Sequence, residues 1–208
     1  MNEQHSDEWV QARLGKVTAS RISDLMATTR NGWGASRKNY AAELVVERLT
    51  REPAPKYRSP AMLYGTECEP EARFAYAFRQ NVNVVEVGFC PHPVIKMSGA
   101  SPDGLIGDNG LVEFKCPNTA SHLETLLRPD VIDDAYMKQI QFQLACTGRQ
   151  WCDFVSYDKR LPEAMRLSIT NITRDDKLIA NIEAAVLGFL DEIDGMIAAL
   201  RDKYPVMM

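Results

Sequence analysis

The chain has 208 residues, 45% of them hydrophobic and 25% charged, which is the balance of an ordinary globular domain and disfavours disorder, collagen-like repeats and disulfide scaffolds. No apolar run approaches the roughly 20 residues needed to cross a bilayer, and the N-terminus lacks the basic-then-apolar plan of a signal peptide, so a soluble, cytoplasmic protein is expected. The formal charge of −4, from 24 Lys and Arg against 28 Asp and Glu, argues as a whole against a nucleic-acid partner. By segment it does not: residues 13–58 carry ten basic groups (Arg13, Lys16, Arg21, Arg30, Arg37, Lys38, Arg48, Arg51, Lys56, Arg58) against four acidic ones (Asp24, Glu43, Glu47, Glu52), a local +6.

Apolar residues at helical spacing mark the N-terminal third: Trp9, Val10 and Leu14, then Ile22, Leu25 and Met26, then Leu44, Val45 and Leu49. Arg30-Asn31-Gly32-Trp33-Gly34 lies between the second and third groups as a basic loop with an aromatic. A helix is predicted at about 61–80, with Phe74, Ala75 and Phe78 as its recurring apolar positions. Extended chain is expected around Val82–Val87 and again at Val94–Met97. Two antiparallel strands, 101–106 and 111–116, flank Gly107-Asp108-Asn109-Gly110, whose Asn-Gly marks a tight turn. A helix at about Asp134–Thr147, strands near Trp151–Tyr157 and Met165–Ile172, and a long helix from about Asp175 to Lys203 complete the chain. In that last helix Ile179, Ile182, Val186, Phe189, Ile193, Met196 and Leu200 step alternately by three and four, a continuous buried stripe. These elements predict one α/β domain with helices on both sides of a small mixed sheet. Its parts are a helical portion at about 1–60, a core at about 61–172 and the C-terminal helix.

Five cysteines (Cys68, Cys90, Cys116, Cys146, Cys152) form no C-x-x-C pair and read as reduced, mostly buried thiols. His5, His92 and His122 have no ligand spacing and are expected on the surface or in loops.

The chemistry concentrates at Asp103, Glu113 and Lys115. Alternation along a strand puts Glu113 and Lys115 on one face while Phe114 packs on the other, and the returning hairpin brings Asp103 beside Glu113. Two close carboxylates repel unless a cation sits between them, and such oxygen donors suit Mg²⁺ or Mn²⁺. A metal there would polarise a phosphoryl oxygen, and the lysine would orient water, the outline of phosphodiester hydrolysis. The alternative is a surface ion pair on an edge strand. Glu67, Glu69, Glu71 and Arg73 cluster within two turns of the 61–80 helix, where Glu69 and Arg73 form a helix ion pair or one acid joins the site. Three glutamines, Gln139, Gln141 and Gln143, flank the buried stripe of the 134–147 helix as a solvated face or as donors to phosphate or water.

In order along the chain, five segments resemble the lambda-exonuclease family, the YqaJ-type viral recombinases of the PD-(D/E)xK nuclease superfamily. They are Trp9-x-x-x-Arg13-Leu14-Gly15 leading to Thr18-Ala19-Ser20; Gly65-x-x-x-Glu69-x-x-Ala72-Arg73; Ser101-Pro102-Asp103-Gly104; Leu111-Val112-Glu113-Phe114-Lys115-Cys116-Pro117; and Ala135-Tyr136-Met137-x-Gln139-Ile140-Gln141.

The resemblance implies a restriction-endonuclease-like core and a 5′→3′ exonuclease that degrades one strand of linear duplex DNA to mononucleotides. The 3′ overhang left behind would serve phage-type recombination by strand annealing. Asp103, Glu113 and the Phe114 carbonyl would hold a divalent metal, with Glu69 helping, and a second metal would share Asp103. Lys115 would position the attacking water. Arg13, Ser20, Ser101 and Gln141 match the 5′-phosphate pocket, Gln141 also counting among the catalytic set; arginine suits phosphate because its planar fork binds bidentately. Arg30 matches a grip on the downstream duplex and Met62 an apolar wedge at the terminal base pair. The family also implies a ring-shaped homotrimer, a Red-beta-type single-strand annealing partner, and a phage or prophage gene acting in a bacterial host. An endonuclease or nickase of the same superfamily is the nearest alternative, and a non-catalytic DNA-binding scaffold a more distant one.

Overall fold

Ser6 starts the first helix because its hydroxyl accepts the Trp9 N–H, and α1 (Asp7–Arg13) follows with Asp7 and Glu8 in its first turn and Arg13 in its last, matching the helix dipole at both ends. The computed structural model describes residues 4, 6–30, 32–55 and 59–205. His5, Asn31, Lys56 and Arg58 of the sequence reading lie outside them. The chain continues through β1 (Val17–Thr18), a 3-10 turn, α2 (Ile22–Leu25), a hairpin of β2 (Thr28–Thr29) and β3 (Gly32–Trp33), and α3 (Ala35–Thr50). Ser59 caps α4 (Pro60–Gln80) by accepting the Met62 N–H, with Pro60 at the first position, where it has no N–H to waste. Next come β4 (Val84–Val85), β5 (Cys90–Pro91), β6 (Ser98–Ala100), β7 (Gly104–Ile106) and β8 (Gly110–Lys115). Helices α5 (Thr119–Leu127) and α6 (Asp134–Thr147), strands β9 (Trp151–Tyr157) and β10 (Leu167–Thr173), and helix α7 (Asp176–Lys203) end the fold. Among the described residues no helix is long and apolar enough to cross a membrane.

The main sheet runs β10-β9-β8-β7-β4, with β8 and β9 parallel and the other pairs antiparallel, so it is mixed as expected. Alternation on β8 divides the hydrophobic interior. Leu111 packs with α2, α3, α6 and α7 residues such as Leu25, Leu44, Ile140 and Ile182, while Val112 and Phe114 pack against Cys68, Ala72 and Tyr76 of α4. Helices therefore cover both faces. A second, three-stranded sheet, β1-β6-β5, carries the chain into the Ser101–Asp103 segment.

Several expectations are corrected. Phe74 and Phe78 are 74% and 81% exposed, and α4 buries Cys68, Ala72 and Tyr76 instead: spacing identified the helix but not which of two apolar stripes meets the sheet. Along α7 the stripe holds through Ile193, after which Ile197 is buried while Met196 and Leu200 are exposed. An average step of 3.5 drifts against a 3.6-residue turn, so the buried face moves on by one residue. The extended run expected at Val94–Met97 is a turn with Val94 exposed, and the strand begins at Ser98. Helix α5 was not expected; Asn118 caps it by accepting the Ser121 N–H. His92 does lie in a loop, between β5 and β6, but it is buried, as is His122 on α5. His122 bridges Ser156 at 2.7 Å and the Met165 carbonyl at 2.8 Å, and His92 pairs with Glu183 at 3.0 Å. All five cysteines are unpaired, and Cys68, Cys146 and Cys152 are buried.

Gly99, central in β6, leaves no room for a side chain: an added Cβ would lie 2.3 Å from the Phe89 ring and 2.6 Å from the Cys90 carbonyl oxygen. Gly99→Ala should cost roughly 1–3 kcal/mol as overpacking against backbone. Thermal or denaturant unfolding reads this directly, and an unchanged midpoint would contradict the packing described.

Candidate active site

Glu113 lies on the α6 side of β8 and is 2% exposed, a position a carboxylate holds only when hydrogen-bonded throughout. Its Oε1 accepts from Lys115 Nζ at 2.7 Å and Gln139 Nε2 at 2.6 Å; its Oε2 accepts from Gln143 Nε2 at 2.7 Å. Lys115 also reaches the side-chain Oε1 of Gln139 at 3.5 Å and lies 4.9 Å from the centre of the Tyr136 ring. Asp103 stands across the hairpin, one residue before β7, where its Oδ2 accepts the Phe114 N–H at 2.7 Å. On the reverse face the Phe114 ring meets Tyr76 edge-on at 5.7 Å and fixes the strand.

The electrostatics are those of crowded carboxylates. Burial, then the charges of Glu113 and Glu69, push the Asp103 pKa well above the carboxylate range. Burial works against the charged form of Lys115, but Glu113 and Asp103 outweigh it and hold the ammonium above an ordinary lysine. Glu69 accepts from Arg73 at 2.6 Å, the helix pair expected from their spacing, and its charge still reaches Asp103. Among the described residues no three His, Cys, Asp or Glu side chains cluster closely enough to hold an ion by themselves. The oxygen donors nonetheless fit a hard cation, because a positive ion relieves the repulsion that raises Asp103, with backbone carbonyl and water oxygens completing its shell.

A second group adjoins the first. Ser101, two residues before Asp103, accepts from both Trp9 Nε1 and Arg13 Nη1 at 3.0 Å, and the Arg13 guanidinium lies 4.2 Å over the Trp9 ring. Arg13, Trp9, exposed Ser20 and Met62, itself 60% exposed, line one cavity of about 230 Å³. The turn after α1 is gripped by α3: Glu47 accepts the Gly15 N–H at 2.8 Å, and Arg48 donates to the Gly15 carbonyl at 2.8 Å while pairing with Asp194 of α7 at 2.7 Å. Gly15 has φ +67° and a Cβ there would sit 2.8 Å from Arg48, so glycine is required. Arg30 is exposed at the β2–β3 turn.

Gln141 does not join this cluster. Its amide donates to the Thr173 carbonyl and accepts the Asp175 N–H, both at 2.8 Å, bracing α6 against the start of α7. The side chains at Glu113 are Gln139 and Gln143. Helical geometry explains the difference: 139 and 143 are one turn apart on one face, whereas 141 is rotated about 200° from 139. That spacing was the available signal. Tyr136, three residues before Gln139, follows from the same face.

Residues 8–150 match the YqaJ-like viral recombinase domain. The chain belongs to that family. An alkaline exonuclease, LHK-Exo from Laribacter hongkongensis, is similar in structure at 52% identity and a TM-score of 0.88, over 95% of this chain and 97% of that one. The same enzyme in complex with dAMP aligns equally well. A phage-related exonuclease from Haemophilus somnus shares the fold, with a TM-score of 0.71 at 16% identity, over 89% of this chain and 96% of that one. An uncharacterised protein of Acanthamoeba polyphaga mimivirus is 27% identical over 169 residues; the match takes in 74% of this chain and spans 29% of that protein's length. The YqaJ-like match takes in all the hydrogen-bonded groups around Glu113 as well as Trp9, Arg13 and Ser101.

Ionised Asp103 opposes folding. Its folded pKa is raised above the unfolded value, so metal-free protein should lose stability as pH rises through the carboxylate range. Asp103→Asn, which keeps an acceptor for Phe114, should raise the melting midpoint in EDTA at neutral pH by a few degrees. Added Mg²⁺ should then raise the wild-type midpoint and leave that of the variant nearly unchanged, as followed by calorimetry.

Proposed function

We propose that this protein is a divalent-metal-dependent exonuclease that digests one strand of linear duplex DNA from the 5′ end. The observation that carries the reading is the adjacency of the two groups: Ser101, holding Arg13 and Trp9, lies two residues from Asp103, which is hydrogen-bonded to the strand bearing Glu113 and Lys115. A terminal phosphate on Arg13 would leave the next phosphodiester near the carboxylates. The 52% identity to an alkaline exonuclease supports the same conclusion.

Asp103, Glu113 and the Phe114 carbonyl would hold the ion, Mg²⁺ or Mn²⁺, with Glu69 assisting directly or through water and Asp103 shared if two ions bind. The ion would supply charge stabilisation to the phosphoryl oxygens and lower the pKa of water. Lys115 retains one N–H donor beyond those given to Glu113 and Gln139, and with it orients the attacking water or steadies the charge gathering on the phosphate. Gln139 holds both Glu113 and Lys115, whereas Gln141, which the resemblance gives to the phosphate pocket and the catalytic set, is engaged by the Thr173 carbonyl and the Asp175 N–H. Gln143 fixes the second oxygen of Glu113. Arg13, Ser20 and Ser101 would bind the 5′-phosphate. Met62, exposed beside them, would divide the terminal base pair, and Arg30 would meet the duplex farther along. The products are mononucleotides and a 3′ overhang for recombination by annealing. A ring-shaped homotrimer, a Red-beta-type annealing partner and a phage or prophage origin in a bacterial cytoplasm belong to the same proposal.

Linear and covalently closed duplexes distinguish this from an endonuclease. The wild type should degrade 5′-phosphorylated linear DNA with Mg²⁺ and leave closed circles intact; efficient cutting of circles would overturn the reading, and Arg13→Ala should abolish the preference for a 5′-phosphate over a 5′-hydroxyl. Lys115→Ala should lower digestion by roughly 100-fold or more with DNA binding retained, which a non-catalytic scaffold would not show.

The two glutamines should separate cleanly. Gln139→Leu should reduce digestion by roughly tenfold or more through misplacement of Glu113 and Lys115. Gln141→Leu should instead cost about 1–3 kcal/mol of stability by stranding the Thr173 carbonyl and Asp175 N–H, with turnover per folded molecule close to wild type. Parallel rate and unfolding measurements on the two variants read the contrast.

A further inference from the structure

A cavity of about 910 Å³ opens on the Lys115 side of the catalytic cluster, lined by Tyr136, Tyr64 of α4 and Arg160 from the turn after β9. The first turn of α4 divides it from the smaller cavity: Ala61 lines the larger and Met62 the smaller. Arg160 is held unusually firmly for a side chain in a turn. Its Nε and Nη2 engage the two oxygens of Asp158 at 2.6 and 2.9 Å, and Nη2 also donates to the Pro117 carbonyl at 3.0 Å. Asp158 has no exposed surface and is secured by the Thr119 hydroxyl at 2.7 Å and the Arg160 N–H at 3.0 Å. The guanidinium plane lies 4.7 Å over the Tyr64 ring, and among the described residues nothing accepts from Nη1.

A guanidinium fixed at two nitrogens, stacked on an aromatic ring and left with one donor group is a fit for one nucleotide of an unpaired strand. Bases stack on aromatic rings and on arginine planes, and phosphates accept from the remaining N–H groups. Because Asp158 already neutralises its charge, Arg160 offers directed donors more than attraction at a distance. Direction along the strand follows from the two cavities. If the 5′-phosphate sits with Arg13 in the smaller one, a strand crossing Asp103 and Glu113 toward Lys115 emerges into the larger one.

We propose that Tyr64 and Arg160 form a binding subsite for the nucleotide on the 3′ side of the scissile bond, its base stacked against the Tyr64–Arg160 pair and its phosphodiester accepting from Arg160 Nη1. This rests on the exonuclease reading above and adds two residues outside the motifs that resemble the family.

The test compares 5′-phosphorylated linear duplexes that are intact, abasic at the second nucleotide of the digested strand, or abasic opposite that position in the complementary strand. The wild type should show a KM raised roughly 5- to 100-fold, the scale of one stacked base, when the second nucleotide of the digested strand is abasic, and within about twofold of intact when the complementary strand is. Tyr64→Leu and Arg160→Gln should raise KM on intact duplex, with kcat changed less, and show no further penalty for the abasic strand. Equal KM values for the wild type on intact and abasic strands would overturn the subsite without any variant needing to fold, as would an equal penalty from the complementary strand. If the wild type fails to digest the intact duplex at all, the exonuclease reading falls with it.

Discussion

The carboxylate of Glu113 is the point on which the site depends. An acid almost wholly removed from water is tolerated only because an ammonium and two amides surround it, and those three donors come from two different elements. Strand β8 supplies the acid and the lysine, and α6 supplies the glutamines, so the register between strand and helix is set by hydrogen bonds as well as by apolar packing. Deleting any one donor would leave a buried charge short of compensation. Asp103, half-buried beside Glu113, feels both desolvation and the charges of Glu113 and Glu69, so a cation at this position would relieve it.

Much of this arrangement was readable in the sequence because it is encoded locally. Alternation along 111–115 placed Glu113 and Lys115 together, and Asn-Gly closed the hairpin that returns Asp103 to them. What the sequence concealed depends on which faces of elements meet. The exposed Phe74 and Phe78 and the buried Tyr76 of α4 belong to one helical pattern, and only packing selects between stripes. Gln141 and Gln139 differ by two residues in a polar run, yet one braces α7 and the other holds Glu113. His92 and His122 looked incidental because nothing in their spacing announces the carboxylate, hydroxyl and carbonyl partners brought to them from distant parts of the chain.

Charge shows the same division. The basic excess of residues 13–58 suggested a surface for an anionic partner, but several of its members serve internally. Arg37 is 4% exposed, stacked between Trp33 and Phe189 and paired with Glu192; Arg21 is shared between Asp24 and Glu43. Arg13 differs from these in its contacts: a hydroxyl and an indole face hold it directly, and Glu47 acts on it only through charge, without a hydrogen bond.

The grip of α3 on Gly15 links distant parts of the molecule. Arg48 holds the peptide two residues beyond Arg13 while paired with Asp194, deep in the sequence of α7. The C-terminal helix is thereby tied, through an exposed ion pair, to the turn that follows Arg13. Since α7 also buries Ile182, Val186, Phe189 and Ile193 in the main interior, a single helix both closes the core and reaches, through Arg48, the backbone beside Arg13.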